Sequence, residues 1–189
     1  MKKKKNNFFK TYFKNLINLL SIFEFAELDK YLSLFLDVKK NKRKILIFGN
    51  GAGASIASHV ATDFTKNAKV AAISLDSSTY LTCLSNDYGY ENTVTQAIKH
   101  YYKSKDLVIL LSASGNSTNM IKAARYCNKK SIKFLTITGF KKKNKLNNLS
   151  KNKIWINSSS WNLIEITQLS ILLSYVDKII GKINYKKIL

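Results

Sequence analysis

The stretch that decides the fold is residues 44–63, KILIFGNGAGASIASHVATD. Its apolar run at residues 45–48 predicts a buried strand, and the glycine-rich turn at residues 49–53 leads directly into a helical pattern. In α/β proteins this arrangement presents backbone N–H groups to a phosphate, because glycine allows a positive φ and the helix N-terminus carries a partial positive charge. An ordinary strand-to-helix turn has the same pattern, so a second feature must decide between the two interpretations.

Further strands and helices follow in alternation. Apolar runs predict strands at residues 70–74, 107–111, 133–138 and 153–156, and helical patterns occur at residues 54–66, 91–103, 119–127 and 161–180. Strands that alternate with helices in this way indicate a parallel sheet covered on both faces. We therefore expect a single α/β domain over residues 1–189, with a core at residues 43–182.

Two helices are predicted before the first strand, within residues 1–42. The first has a broad apolar face, formed by Phe9, Tyr12, Phe13, Leu16, Leu20 and Phe23. Because this face lies outside the α/β unit, it predicts a contact with another subunit, and hence a homo-oligomer.

Composition excludes several classes of protein. Hydrophobic residues make up 46% of the chain, which is typical of a globular protein, and no apolar stretch is long enough to cross a membrane. The lysine-rich start lacks a cleavage site, so we expect a cytoplasmic protein without a membrane partner. Cys83 and Cys127 show no metal-binding spacing and are predicted to be reduced core thiols.

The net charge of +21 favours anionic ligands. The lysine runs at residues 2–5 and 141–145 carry no interleaved aromatic residues and match no DNA-binding motif, so nucleic acid is not an expected partner. A phosphorylated small molecule fits this charge.

The second feature is the loop after the third predicted strand, SASGNS at residues 112–117. Its hydroxyls, its glycine and the following helix N-terminus could hold a phosphate dianion, since serine supplies hydrogen-bond donors without competing charge. In open α/β sheets, ligands bind at the carboxyl ends of the strands, where this loop lies. A polar loop that merely caps the next helix is the alternative.

A dinucleotide-binding fold is a competing interpretation. Gly49, Gly51 and Ala54 satisfy the permissive glycine pattern, and Asp76 follows the second predicted strand, where a ribose-binding acid could lie. This interpretation, a nucleotide-binding oxidoreductase, leaves the serine loop unexplained. A P-loop is excluded because no Gly-Lys-Ser/Thr follows the glycines.

Three motifs together resemble a known family. GNGAGASIASH at residues 49–59, SNDYGYE at residues 85–91 and SASGNSTN at residues 112–119 are similar to the motifs of SIS, or sugar isomerase, domains. The similarity is greatest to the phosphoheptose isomerase branch, which reads GNGGSAADAQH, NDYGFE and STSGNSPN. The resemblance implies a flavodoxin-like three-layer sandwich with a five-stranded parallel sheet after two N-terminal helices. It also implies a homotetramer and a sugar phosphate that is isomerised between aldose and ketose.

The resemblance places substrate-contacting positions in all three motifs. Gly53 departs from the branch, which has serine there. The implied substrate-binding residues are Asn50, Gly51, Ala52, Asn86, Asp87, Ser112, Ala113, Ser114 and Ser117.

The metal and catalytic positions of the resembling branch are less complete. His59 matches its first histidine, Asp63 stands where it has glutamate, and Glu165 falls where it has glutamine or, in relatives, an acid. Gln168 and Leu173 occupy positions where the branch has histidines, and an alignment shifted by one residue places Thr167 and Leu172 there. Leucine neither binds a metal nor transfers a proton in either register.

Aldose–ketose exchange requires a base near neutral pH and a group that stabilises the enediolate. The sequence offers Asp63, Asp87 and Glu165 as catalytic candidates, and His59, Asp63 and Glu165 as candidate zinc ligands. We expect a sugar-phosphate isomerase of the phosphoheptose type with weak or absent zinc. The alternative is a non-catalytic SIS protein that senses a phosphosugar or binds a protein partner, as a replication initiator-associating branch does.

Overall fold

The structure is a computed structural model that describes residues 7–21 and 25–183. Phe23 of the predicted apolar face and the lysine run at residues 2–5 lie outside the described residues. The helices are α1 (Phe8–Ser21), α2 (Phe25–Lys40), α3 (Ala52–Lys66), α4 (Ser78–Tyr88), α5 (Thr93–Tyr101), α6 (Thr118–Lys129), α7 (Lys145–Leu149) and α8 (Trp161–Ile180). The strands are β1 (Ile45–Phe48), β2 (Ala72–Ser74), β3 (Leu107–Ser112), β4 (Phe134–Thr138) and β5 (Asn152–Trp155).

The five strands form one parallel sheet in the order β2-β1-β3-β4-β5. Ile45 lies beside Leu107, and Val108 lies beside Phe134, so β3 is central. This is the flavodoxin-like order, in which the direction of strand addition reverses between β1 and β3. The predicted fold class is confirmed, and the reversal places the loops after β1 and β3 side by side.

The sheet is buried on both faces because alternate residues of each strand enter opposite apolar clusters. Ile45 and Ile47 pack with α2, α3 and α8. Leu46 and Phe48 pack with α4, α5 and α6 on the other face. Two-sided burial explains why the central strands are continuously apolar in the sequence.

The apolar surface of α1 is divided between the core and the surface. Tyr12, Leu16 and Leu19 pack against the α2–α3–α8 cluster. Phe9 and Phe13, by contrast, are 73% and 56% exposed. The predicted single face is therefore two faces, and among the described residues the one with Phe9 and Phe13 is not covered.

Both edge strands are capped by a side-chain hydroxyl. At β2, the Thr65 hydroxyl accepts from the Ala72 N–H at 3.0 Å and donates to the Ala72 carbonyl at 3.3 Å. At β5, the Tyr31 hydroxyl accepts from the Lys153 N–H at 3.2 Å and donates to the Lys153 carbonyl at 2.9 Å. Each hydroxyl thus pairs with the outward N–H and C=O of one edge residue.

Several features differ from the sequence prediction. Helices α4 and α7 were not predicted, and the expected helix at residues 91–103 is a 3₁₀ turn at Tyr90–Asn92 followed by α5. Cys127 is buried as expected, but the prediction for Cys83 is wrong, because it is exposed on α4. No helix within residues 7–21 and 25–183 combines the length and apolarity needed to cross a bilayer.

Candidate functional site

The glycine turn (residues 49–53) and the serine loop (residues 112–117) meet where β1 and β3 end. Gly49 lies so close to α3 that an added Cβ would be 2.3 Å from the Gly53 carbonyl carbon, so only glycine fits there. Gly51 has φ +53° and precedes the first residue of α3. The glycines therefore allow the chain to leave β1 and enter α3 within three residues.

Two helix N-termini at this point have uncapped backbone donors. Gly51 before α3 and Ser117 before α6 make no side-chain cap bond. Ser77 caps α4 and Asn144 caps α7, whereas Asn92 before α5 and Ser160 before α8 also make no side-chain cap bond. Within the described chain, no hydrogen-bond acceptor lies at the N–H groups of Gly51, Ala52, Thr118 and Asn119. Uncapped N–H groups at helix N-termini favour anions, because the helix dipole places a partial positive charge there.

The hydroxyls of the serine loop are arranged by local hydrogen bonds. Ser112 Oγ and Ser117 Oγ lie 3.1 Å apart, and Ser112 Oγ also accepts from the Gly115 N–H at 3.2 Å. Ser114 Oγ accepts from the Asn116 N–H at 3.2 Å. Because a hydroxyl has one proton, the Ser112–Ser117 pair can donate one bond outward and Ser114 a second. Two hydroxyl donors thus remain for a ligand. Ala113, which lies between Ser112 and Ser114 in the chain, is half-buried.

Gly115 fixes the serine loop against the loop before α7. Its φ is +65°, and an added Cβ would lie 2.0 Å from Asn144 Oδ1. The Leu146 N–H donates to the Gly115 carbonyl at 2.9 Å, and Asn144 is itself buried. The loop conformation therefore depends on the absence of a side chain at residue 115.

Asn50 of the glycine turn is bound by residues of both other motifs. It exchanges two side-chain hydrogen bonds with Asn119, of 3.0 and 2.8 Å, and the Tyr90 hydroxyl donates to Asn50 Oδ1 at 2.9 Å. We call Asn50, Asn119 and Tyr90 the amide clasp. Sequence reasoning missed Asn119 and Tyr90; their place inside the second and third motifs was the available signal.

Asn86 and Asp87, predicted to contact substrate, lie exposed in the last turn of α4. Asn86 donates to Asp87 Oδ1 at 3.0 Å, and the Cys83 thiol donates to Asp87 Oδ2 at 3.6 Å. The carboxylate of Asp87 raises the pKa of the Cys83 thiol, because a nearby negative charge disfavours the thiolate. The described contacts of Asp87 thus lie within α4 and do not reach the two loops.

The three predicted metal ligands are only partly brought together. His59 Nε2 lies 3.4 Å from Asp63 Oδ2, one turn along α3, and Asn67 donates to Asp63 Oδ1 at 3.0 Å. Glu165 is half-buried on α8. Within residues 7–21 and 25–183, no three His, Cys, Asp or Glu side chains are close enough to hold a metal ion. The residues as described therefore do not fit a zinc site, and we assign no chemical step to zinc.

Helix α8 offers no replacement metal ligand in either of the two alignments with the resembling branch. Gln168 is buried and donates to the Ile137 carbonyl at 2.8 Å, and Thr167 donates to the Leu163 carbonyl at 2.7 Å. Leu172 is fully buried, and Leu173 packs against the same apolar cluster. These side chains stabilise the packing of α8.

Asp76, the candidate ribose-binding acid, has its carboxylate engaged locally. Asp76 Oδ2 accepts from Ser58 at 3.0 Å and from Ser74 at 3.1 Å. The strand order also differs from the 3-2-1-4-5-6 order typical of dinucleotide-binding folds. Both observations weigh against the oxidoreductase interpretation.

The fold and the two loops are typical of α/β proteins that bind a phosphate at the carboxyl ends of their strands. Comparison with known proteins identifies the family. The model of the SIS domain family matches residues 11–139, and the chain belongs to this family. Phosphoheptose isomerase of Helicobacter pylori (strain P12) is 36% identical over 118 residues, covering 59% of this chain and 62% of the relative. Phosphoheptose isomerase 2 of Campylobacter jejuni is 34% identical over 128 residues, covering 65% and 61%.

A solved structure shows the same fold over nearly the whole length. The phosphoheptose isomerase from Neisseria gonorrhoeae superimposes with a TM-score of 0.81 at 22% identity, covering 91% of this chain and 96% of the other. In sequence, the chain matches about three-fifths of the length of its curated relatives.

Proposed function

We propose that the chain is a sugar-phosphate aldose/ketose isomerase of the phosphoheptose type, acting on a substrate like sedoheptulose 7-phosphate. The observation that carries this proposal is the pair of uncapped helix N-termini at the switch point between β1 and β3, next to two available serine hydroxyls. A phosphate dianion satisfies these donors. The names of the Helicobacter and Campylobacter relatives support the heptose class.

The proton-transfer groups belong to the proposal as well. Isomerisation moves a proton between adjacent carbons, which requires a carboxylate or imidazole within hydrogen-bond reach of the sugar. Asp63, Asp87 and Glu165 are the proposed bases, with His59 as proton donor. Aspartate is one methylene shorter than the glutamate of the resembling branch, and a misplacement of about 1 Å can cost roughly 100-fold in rate. We therefore propose low isomerase activity with sugar-phosphate binding retained.

A second candidate is a non-catalytic SIS protein that binds a phosphosugar as a signal or binds a protein partner. It is favoured by the dispersed carboxylates and by the buried leucines of α8, which leave the candidate phosphate site intact without a complete ligand set for a metal. The two candidates share the binding step and differ in turnover.

One experiment separates them. Calorimetry with sedoheptulose 7-phosphate and with unphosphorylated sedoheptulose measures the phosphate contribution, and NMR of the sugar signals measures turnover. We expect binding that depends on the phosphate, and turnover below the usual range of roughly 1–1,000 per second. Equal affinity for both sugars would contradict phosphate recognition, and tight NADH binding would restore the dinucleotide interpretation. Binding without turnover would select the non-catalytic candidate.

The assembly is part of the proposal. The uncovered face of α1, formed by Phe9, Phe13 and Ile17, supports a homo-oligomer, which we propose to be a cytoplasmic tetramer. Light scattering at micromolar concentration should report four copies, and a monomer would contradict it. Replacement of Phe9 and Phe13 by serine should dissociate the assembly.

A further inference from the structure

All three family motifs meet in the amide clasp. Asn50 Oδ1 accepts from Asn119 Nδ2 and from the Tyr90 hydroxyl. Asn119 Oδ1 accepts from Asn50 Nδ2 and from the Met120 N–H at 3.0 Å. An amide oxygen has two lone pairs, so both side-chain oxygens are fully used. The Met120 N–H is a donor and fixes which atom of Asn119 is oxygen, and this sets the orientation of both amides.

Two members of the clasp, Asn119 and Tyr90, belong to segments that are held in place by other contacts. Asn119 is 3% exposed and forms part of the first turn of α6. Tyr90 belongs to the 3₁₀ turn, whose next residues are held to α6 by Lys122, which donates to Glu91 at 3.3 Å and to Asn92 at 3.1 Å. The Tyr90 hydroxyl therefore reaches Asn50 from a segment that is itself anchored.

Tyr90 is also a departure from the resembling branch. That branch has phenylalanine at this position of its NDYGFE motif, and phenylalanine has no hydroxyl to donate. The ring of Tyr90 is 51% exposed, so its burial does not explain the tyrosine. Its hydrogen bond to Asn50 is the contact that the hydroxyl adds.

We propose that Tyr90 and Asn119 are positioning residues for the sugar-phosphate site. They hold the Asn50 side chain, and thereby keep the free N–H groups of Gly51 and Ala52 in place for the ligand. Asn50 then acts on the ligand through the neighbouring N–H groups of Gly51 and Ala52, while its side-chain amide stays in the clasp. This inference rests on the proposed function, since the ligand is the phosphosugar proposed above.

Tyr90→Phe is the decisive variant because it keeps the ring and removes one hydrogen bond. Loss of one such bond should weaken binding of sedoheptulose 7-phosphate about 3- to 10-fold. Tyr126→Phe is the matched control: Tyr126 lies on α6 two turns beyond Asn119, with Lys99 over its ring. Its affinity should equal that of the wild type.

A double-mutant cycle tests the route of the effect. If Tyr90 acts through Asn50, Tyr90→Phe should cause no further loss of affinity in an Asn50→Ala background. The same fold-loss in both backgrounds would show that Tyr90 touches the ligand directly and would overturn the proposal. An unchanged affinity of Tyr90→Phe in the wild-type background would also overturn it.

Amide hydrogen exchange in the ligand-free protein separates this inference from the proposed function. The Gly53 and Ala54 N–H groups donate within the turn, to Asn50 and Gly51. Their exchange should be several-fold faster in Tyr90→Phe and unchanged in Tyr126→Phe. Wild-type protein that binds no sugar phosphate would overturn the proposed function. Unchanged exchange in Tyr90→Phe would overturn the inference that the amide clasp holds the glycine turn in place.

Discussion

The candidate phosphate site and the α3–α8 face lie on the same α/β core but are built differently. At the phosphate site, most donors are backbone N–H groups at the starts of α3 and α6, placed by strands that pair side by side. At the α3–α8 face, the predicted chemistry depends on individual side chains. There His59 and Asp63 contact each other, and Leu172 is fully buried.

This difference in construction determines how each region responds to substitution. A site made of backbone groups persists as long as the fold does, because any sequence that forms these elements supplies the same N–H groups. A metal or catalytic set is lost when one side chain changes, because its geometry needs every ligand. In the described residues, the elements of the candidate phosphate site lie together, whereas the three candidate metal ligands do not form one cluster.

The largest effect is expected from Gly115→Ala, which adds a Cβ 2.0 Å from Asn144 Oδ1 at a φ of +65°. The backbone strain costs about 1–2 kcal/mol, and the overpacking adds roughly 1–3 kcal/mol. Urea unfolding should show this loss, and calorimetry should show sugar-phosphate binding abolished. Gly181→Ala is the control, since Gly181 has φ +82° with open space around it. Gly181→Ala should lose only the backbone-strain part of the free energy of unfolding and keep its affinity for the sugar phosphate. An equal loss of stability in the two variants would mean that Asn144 moves away from the added Cβ.

Ser114→Ala should come next. The Ser114 hydroxyl accepts from the Asn116 N–H and keeps its own proton for a ligand. A charge-assisted bond to phosphate contributes about 1.5–3 kcal/mol, so affinity should fall roughly 10- to 150-fold in calorimetry. Ser170→Ala, on α8, removes a hydroxyl that bonds its own helix and should leave affinity unchanged. An unchanged affinity in Ser114→Ala would exclude this hydroxyl from the site.

Restoring the pattern of the resembling branch should have a smaller effect. The wild type should carry less than one zinc per chain by elemental analysis, because catalytic zinc usually needs three protein ligands plus water. Leu173→His combined with Asp63→Glu should raise that occupancy. Leu172→His tests the other register and should be less stable, since Leu172 is fully buried. Stoichiometric zinc in the wild type would contradict the prediction that the candidate ligands on α3 and α8 do not hold a metal ion.

The smallest effect is expected from His59→Ala. The His59 side chain is 55% exposed, and its contact with Asp63 is an i,i+4 pair. Such pairs contribute about 0.2–0.5 kcal/mol, so the free energy of unfolding should change little. Affinity for sedoheptulose 7-phosphate should change less than about twofold. A tenfold loss would place the imidazole at the ligand and join the two regions into one site.

The sequence predicted the parallel sheet because its central strands are buried on both faces and alternate with amphipathic helices. It missed α4 because polar residues separate the apolar ones on that helix and Leu84 alone of them is fully buried, so the apolar pattern is weak. Its local signals were present: Ser77 caps the first turn, and Gly89, with φ +77°, ends the helix.

The motifs predicted which loops form the candidate site, but the hydrogen bonds between loops could not be read from them. Asn50 and Asn119 are 69 residues apart, and their pairing requires β1 and β3 to be neighbours. The residues of α8 were harder still, because a shift of one position exchanges Leu172 for Leu173 and no motif fixes the register.

The hydroxyls of Thr65 and Tyr31 have a consequence for aggregation. An edge strand with free N–H and C=O groups is a template on which another chain can add a strand. In this sheet, Thr65 occupies those groups at Ala72, and Tyr31 occupies them at Lys153. An incoming strand would have to displace a side chain already bonded at both atoms. Growth of the sheet from chain to chain is therefore disfavoured at Ala72 on one edge and at Lys153 on the other.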